Sequence, residues 1–343
     1  MKRHGDVVDA LLKSVEPSIR FKARVYLLGE DPQSRAIRKL RDEIRESPRV
    51  RGLLCFRGRD GRIVRRRGIY EKWHGPHWVL AALADLGYPE GDVSLHPIRD
   101  QVLDYWLRDD FFREFDADRK ASAYRTVGVP RIRGRYRRCA SQQGNALLST
   151  LRLGIADDRT ANLAERLMHW QWPDGGWNCD KTPTADTSSF METLLPMRGL
   201  ALYARHAGDA ASAHAADRAA EVFLSRELFK RRSNGKTIRA DFVKLCYPYY
   251  WRYNILAGLV AMAEMGRIGD PRCTAALDLL ESKRLANDEG WTANVRYYKV
   301  SDKILPGTGT EAVDWGGAGT RRMNEWVTAD ALAVLKAAGR LSV

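Results

Sequence analysis

The feature that most restricts how this chain folds is an internal repeat of about 50 residues, because a period in that range marks stacked supersecondary units. The clearest copy begins at Ala164. An amphipathic segment (AERLMHWQW) runs into Pro173-Asp174-Gly175-Gly176-Trp177, then a polar loop to Asp186, then SSFMETLLPMRGLALYAR. This reads as helix, turn, loop, helix. Asp-Gly and Gly-Gly supply the positive-φ positions that end the first helix, and Asp186, Thr187 or Ser188 can cap the second, with Glu192 near its first turn.

Four other stretches follow the same order. LLCFRGRDGRIVR leads to KWHGPHWVLAALADLGYP, and VLDYWL passes through a long basic loop to CASQQGNALLSTLRLG. Downstream, VFLSRELFKRRSNGK leads to YPYYWRYNILAGLVAMAEMG, and LDLLESKRLANDEGW reaches MNEWVTADALAVLKAAG through a glycine-rich loop. Most second helices are small-rich and apolar and end on a Gly or turn, as an inner helix packed on both sides requires. The expected fold is all-α: an α/α toroid (barrel) of about five helix-pair repeats over residues 51–343. Residues 1–50 carry two charged helical segments without the repeat and are expected to form an N-terminal helical cap.

The segment HWQWPDGGW, ending at Trp177, resembles the glutamine-tryptophan repeat of squalene-hopene and oxidosqualene cyclases. A turn followed by Asp186-Thr187 at the head of an inner helix also resembles the β-subunits of protein prenyltransferases. The likeness covers residues 50 to 340 as a repeat pattern, and reaches motif level at Gln171 to Trp177 and at Glu289 to Trp291. It implies the α/α toroid, with Gln171 and Trp177 bracing adjoining outer helices. The chain departs from these families in its chemistry. The Asp-x-Asp-Asp-Thr motif of class II cyclases is absent, since Ala185-Asp186-Thr187 keeps one acid and the threonine. The prenyltransferase zinc set, Asp-x-Cys with a distant His, is absent too, and Asp109-Asp110 lacks the further acid of a magnesium-diphosphate motif. Neither a metal nor a cofactor is expected.

Aligning the inner helices on VLAAL, ALLST, TLLPM, ILAGL and ALAVL places Trp78, Asn145, Glu192, Asn254 and Asp330 at one level. Four residues earlier, one turn away on the same helix face, stand His74, Ser141, Ser188, Tyr250 and Trp326. A polar ring around a central cavity is the expected site. Glu192 and Asp330 would face each other, one protonated and one ionised, as acid and base. Asp186 is either a residual cyclase acid or an N-cap. His74 and His77, flanking Gly75-Pro76, shuttle a proton, bind a metal or serve as satisfied loop histidines. The bland reading of the whole ring is that its groups cap helices and satisfy one another. Trp73, Trp78, Tyr250, Trp251, Tyr253 and Trp326 cluster at or near the helix heads, where π faces either pack a core or stabilise a cationic substrate.

Composition narrows the partners. A net charge of +14 attracts anions, and arginine is dense at Arg62 to Arg67 and Arg131 to Arg138. No zinc-finger, homeodomain or RNA-recognition signature accompanies these runs, so nucleic acid is not the expected partner. No apolar run approaches the roughly 20 residues of a membrane span, which leaves peripheral membrane contact open. Asp6 and Asp9 interrupt what would be the apolar region of a signal peptide, and a cytoplasmic location is expected. The five cysteines are scattered without a CxxC, so reduced, mostly buried thiols are expected, with no nucleophile pairing at Cys139 or Cys179. Three functional readings follow: a cyclase-like enzyme acting on a terpenoid or other hydrophobic small molecule by acid/base chemistry, a carbohydrate-active hydrolase or lyase, and a non-catalytic binding module with a basic surface.

Overall fold

The computed structural model describes residues 4–64, 68–286, 289–300, 310–311, 313–319 and 321–341. Arg65, Arg66 and Arg67 of the first basic run, and part of the glycine-rich loop before α14, lie outside them. Among the described residues the chain is mostly helical, as expected, with two small sheets. It forms two compact units. Unit 1 comprises residues 1–59, 63–90 and 226–343, and unit 2 residues 60–62 and 91–225. The 1–50 segment is thus part of unit 1.

Unit 1 opens with α1 (His4–Leu12), α2 (Pro17–Lys22), α3 (Arg35–Arg45), α4 (Pro48–Leu53) and α5 (Pro76–Leu86). Unit 2 holds α6 (His96–Trp106), α7 (Lys120–Arg125), α8 (Ala140–Arg152), α9 (Arg159–His169), α10 (Phe190–Ala207) and α11 (Ala210–Leu224). The chain returns to unit 1 with α12 (Ile255–Glu264), α13 (Thr274–Ser282) and α14 (Glu325–Ala337). In unit 2, β1 (Glu114–Asp116) runs parallel to β2 (Val129–Ile132), which pairs antiparallel with β3 (Arg135–Tyr136). In unit 1, β4 (Lys299–Val300) runs parallel to β5 (Thr310–Glu311).

Helix starts follow their caps. Ser34, Ser47, Asp209, Asn254 and Asn324 each accept a first-turn N–H with the side chain, satisfying donors that no helical carbonyl can reach. The α10 cap is Ser189, without a side-chain bond. Asp186 is exposed and caps nothing there; Asp174 holds Ser188 instead, accepting from its N (2.8 Å) and Oγ (2.6 Å).

Glycine sets the spacing of α8 and α10. A Cβ at Gly144 would lie 2.6 Å from Pro196 Cα, and one at Gly199 would lie 2.9 Å from Gly144 O. Only residues without a side chain allow the two backbones this close, and the approach brings the head of α8 beside that of α10.

The tryptophan turns fix the register between repeats. Trp177 N donates to Thr193 Oγ1 (3.2 Å), its carbonyl accepts from Ser189 N (2.8 Å), and its indole N–H donates to Leu167 O (2.9 Å). Trp291 repeats the pattern with Thr328 Oγ1 (2.9 Å), Asn324 N (2.8 Å) and Leu280 O (2.7 Å). Ser189 therefore corresponds to Asn324 and Thr193 to Thr328. Glu192 then matches Val327, and Asp330 matches Leu195. The apolar alignment that set Glu192 level with Asp330 is off by three residues. Three residues turn a helix by about 300°, so the apolar stripe stays nearly in phase and cannot reveal the slip. His74, Ser188 and Tyr250 also precede their helices, so four-residue stacking applies only to Ser141 with Asn145 and to Trp326 with Asp330.

Candidate functional site

In unit 1, α2 carries a buried ammonium to a buried acid. Lys22 Nζ lies 2.9 Å from Asp330 Oδ1 and 3.7 Å from Asp85 Oδ1. Tyr249 donates its hydroxyl to Asp330 Oδ2 at 2.7 Å, and Tyr247 donates to Asp85. Burial works to strip the Lys22 proton, but Asp330 and Asp85 outweigh it and hold the pKa above the ordinary lysine value. Asp330 is thus the anionic half of a buried ion pair. Trp326 stacks on Tyr247, with ring centroids 4.9 Å apart.

An aromatic cluster lies in the same unit. Tyr250 stacks on Trp73 with centroids 3.7 Å apart and planes 7° apart, and Trp78 meets both rings edge-on. Tyr250 holds a left-handed backbone (φ 50°), a conformation costly for an aromatic residue, and its hydroxyl donates to the buried carboxylate of Glu311. The indole N–H groups of Trp73 and Trp78 are buried and have no hydrogen-bond partner among the described residues. His77 packs on Trp78 and Tyr70, and burial pushes its pKa down to about 3, leaving a neutral imidazole. His74 is buried against Phe56. Trp251 is half-buried and faces the cations of Lys72 and Arg252 at 5.2 and 4.7 Å. Asn254 is the α12 cap; its amide oxygen accepts from Ala257 N (3.0 Å) and its nitrogen donates to Cys246 Sγ (3.2 Å).

In unit 2, the heads of α8 and α10 bring together groups far apart in sequence. Cys139 caps α8, Glu192 stands in the first turn of α10, and Cys179 follows the Trp177 turn. Their two Sγ atoms and a carboxylate oxygen all lie within 4.8 Å of one another. Cys179 donates to Glu192 Oε1 (3.3 Å), and the Ser141 N–H donates to Oε2 (3.0 Å). Burial raises the Glu192 pKa, opposed by these hydrogen bonds and by Arg138. Cys139 is the thiol favoured to ionise, because its thiolate shares the Cys179 S–H with Glu192 while Arg138 and Lys181 attract its charge; the Cys179 pKa is raised in turn. Arg138 is itself buried over Phe111, centroid 4.4 Å away, and burial lowers its pKa to about 10. With its amide oriented to suit both groups, Gln143 accepts from Arg138 Nε at 3.1 Å.

The expected ring residues therefore fall in two sets. His74, His77, Trp78, Tyr250, Trp251, Asn254, Trp326 and Asp330 belong to unit 1; Ser141, Asn145, Glu192 and the exposed Asp186 belong to unit 2. Asn145 is buried and Glu192 half-buried. Only Cys246 and Cys273 of the five cysteines are buried, fewer than expected, because Cys139 sits at the head of α8, Cys179 in the loop after the Trp177 turn and Cys55 in a turn. Sequence reasoning missed Lys22, Asp85, Tyr249, Glu311 and the meeting of Cys139 with Cys179, all of which depend on contacts between distant segments.

No family profile matches the chain, and no curated protein matches it in sequence. Solved structures similar to it are α/α-toroid enzymes. One is the unsaturated glucuronyl hydrolase UGL, as a variant with dGlcA-Glc-Rha-Glc, at 15% identity over 93% of this chain and 84% of that one, with a TM-score of 0.44. Another is the type II terpene cyclase MstE from Scytonema in its apo form, at 12% identity over 98% and 99% of the two chains, with a TM-score of 0.44. A variant of MstE in complex with geranylgeranyl dihydroxybenzoate shares 13% identity over 98% of each chain, with a TM-score of 0.43.

Proposed function

We propose that the chain is an enzyme that binds an apolar small molecule, a terpenoid or a compound of like shape, against the unit 1 aromatic cluster and acts on it by acid/base chemistry. The observation that carries this reading is the pair of buried indole N–H groups of Trp73 and Trp78, which have no hydrogen-bond partner among the described residues, beside the Tyr250–Glu311 pair. Buried polar groups are almost always satisfied. A ligand with an apolar body and an oxygen acceptor would satisfy an indole donor while lying against the rings. The same faces would stabilise positive charge developing on the substrate, and Glu311 with Tyr250 would supply or accept the proton. Asp330, neutralised by Lys22, holds Tyr249 in the neighbouring network and is a positioning group in this reading. His74 and His77 form part of the aromatic wall.

The test is a binding and turnover assay on the full chain with two probe classes, a geranylgeranyl-bearing aromatic and an unsaturated uronate oligosaccharide. Quenching of indole fluorescence by the prenyl probe, with turnover reduced about a hundredfold in Glu311→Gln at unchanged melting, supports the proposal. Turnover of the oligosaccharide alone moves the protein to the carbohydrate reading. Binding of neither probe sinks the enzymatic proposal for this cluster.

A further inference from the structure

We infer that the heads of α8 and α10 form a binding site for one thiophilic divalent cation of the zinc class, held by Cys139 Sγ, Cys179 Sγ and a Glu192 carboxylate oxygen. The three ligand atoms lie within 4.8 Å of one another, and Cys179 Sγ is already 3.3 Å from Glu192 Oε1. Tetrahedral zinc, with bonds of about 2.3 Å to sulfur and about 2.1 Å to oxygen, sets its ligands about 3.5 to 3.8 Å apart. Closing the set takes shifts of about 1 Å, which side-chain rotation supplies.

The backbone already fixes the three ligands relative to one another. Arg137 bridges Asn178 in a β-bridge, two residues before Cys139 and one before Cys179. The close approach of α8 and α10 at Gly144 and Pro196 seats Cys139 near Glu192. The Ser141 N–H on Glu192 Oε2 orients the carboxylate from the outer shell and leaves Oε1 toward the sulfurs, the role such donors play around metal ligands.

Charge balances as well. Two thiolates, one carboxylate and a divalent ion sum to −1, and Arg138, buried beside the cluster, brings the site to zero. Any proton that a ligand carries goes to solvent on binding, and no oxidant or reductant takes part. Three protein ligands leave a fourth position open, the arrangement of zinc sites that hold water or substrate. The site draws on unit 2 residues alone.

The experiment uses the full chain, reduced and metal-stripped, titrated with cobalt(II) under anaerobic conditions and then with zinc(II). A sulfur-to-cobalt charge-transfer band with tetrahedral visible bands should saturate at one equivalent and be displaced by zinc. Cys139→Ser and Cys179→Ser should each remove most of the charge-transfer intensity, and Glu192→Gln should weaken binding about tenfold or more, while Cys246→Ser leaves the titration unchanged. Because a variant can fail to fold, a second measurement uses the unaltered chain: zinc should protect Cys139 and Cys179, and not Cys55, from alkylation read by peptide mass spectrometry. No band at millimolar cobalt, a band that persists in both serine variants, absence of zinc protection, or a Cys139–Cys179 disulfide whose reduction restores no binding would each overturn the inference.

Discussion

The turns at Trp177 and Trp291 are built alike and surrounded differently. Each tryptophan is buried, its backbone clasped by a threonine hydroxyl and by the N-cap residue of the following helix, its indole anchored to a carbonyl of the helix before it. Where unit 2 places Glu192 beside two thiols, unit 1 has Val327 at the matching position, and a buried acid, Asp330, comes three residues later against Lys22. The difference teaches that the repeat specifies a frame, and that reactive groups occupy positions the frame leaves free. A residue's chemistry here is read from what other segments bring to it.

The largest expected effects test whether the two frames are equivalent. Trp177→Ala and Trp291→Ala should each cost about 3 to 5 kcal/mol, since each removes a fully buried ring and the hydrogen bond from its indole N–H to a carbonyl of the preceding helix. Denaturant unfolding of both variants measures this. A cost for one that is less than half the other would show that the shared hydrogen bonds do not carry equal weight.

Next in size is the ion pair that unit 1 has and the matching position of unit 2 lacks. Lys22→Met leaves Asp330 and Asp85 without their cation and should cost about 3 to 5 kcal/mol, whereas Lys22→Met with Asp330→Leu should recover part of the loss. The pH dependence has a definite sign. The folded pKa of Lys22 is raised, so its contribution is complete below the ordinary lysine value of about 10.4 and is lost as pH rises through the folded value. Stability measured from neutral to alkaline pH should fall for the parent chain and lose that component in Lys22→Met; identical alkaline slopes would contradict the pairing.

His77 supplies the opposite sign within the same unit. Its folded pKa is about 3 against an ordinary 6.5, so the neutral ring contributes stability above about pH 6.5 that is lost as pH falls toward the folded value, with a limiting slope of about 1.4 kcal/mol per pH unit. His77→Phe keeps a ring against Trp78 and Tyr70 and should flatten this acid limb. Unfolding curves between pH 7 and pH 4 decide the matter, and an unchanged slope would mean that another group titrates there.

The helices and the tryptophan braces were legible in sequence because both are local: apolar periodicity, Gly-rich turns and the PDGGW and EGW motifs lie within single stretches. Register between repeats was not, since an apolar stripe tolerates a slip of three residues. The site was legible only as residue types. Glu192 and Asp330 stood out as acids among apolar neighbours, but Lys22 is 308 residues from Asp330, and nothing near Asp330 announces its partner. Cys139 and Cys179 looked inert for the same reason. Their meeting depends on a β-bridge and on two glycines whose effect appears only when α8 lies on α10.

The smallest expected effect asks where the two frames part. Trp172 N bonds Gly176 O in one turn and Leu285 N bonds Gly290 O in the other, which makes Gln171 and Arg284 counterparts. Gln171 spans two elements, its amide nitrogen donating to Gly175 O at 2.7 Å and to Ala215 O of α11 at 2.8 Å. Arg284 instead lays its guanidinium 4.9 Å from the Trp291 ring centre. The two neutral hydrogen bonds of Gln171 are each worth about 0.5 to 1.5 kcal/mol, and the cation–π contact of Arg284 about 0.5 to 1 kcal/mol at a partly exposed site. Gln171→Ala should therefore cost about 1 to 2 kcal/mol whatever the salt concentration, whereas the cost of Arg284→Ala should shrink as salt is added. Equal costs with equal salt dependence would mean that the bridge from the turn to α11 contributes nothing particular, and that the two turns are held by their tryptophans alone.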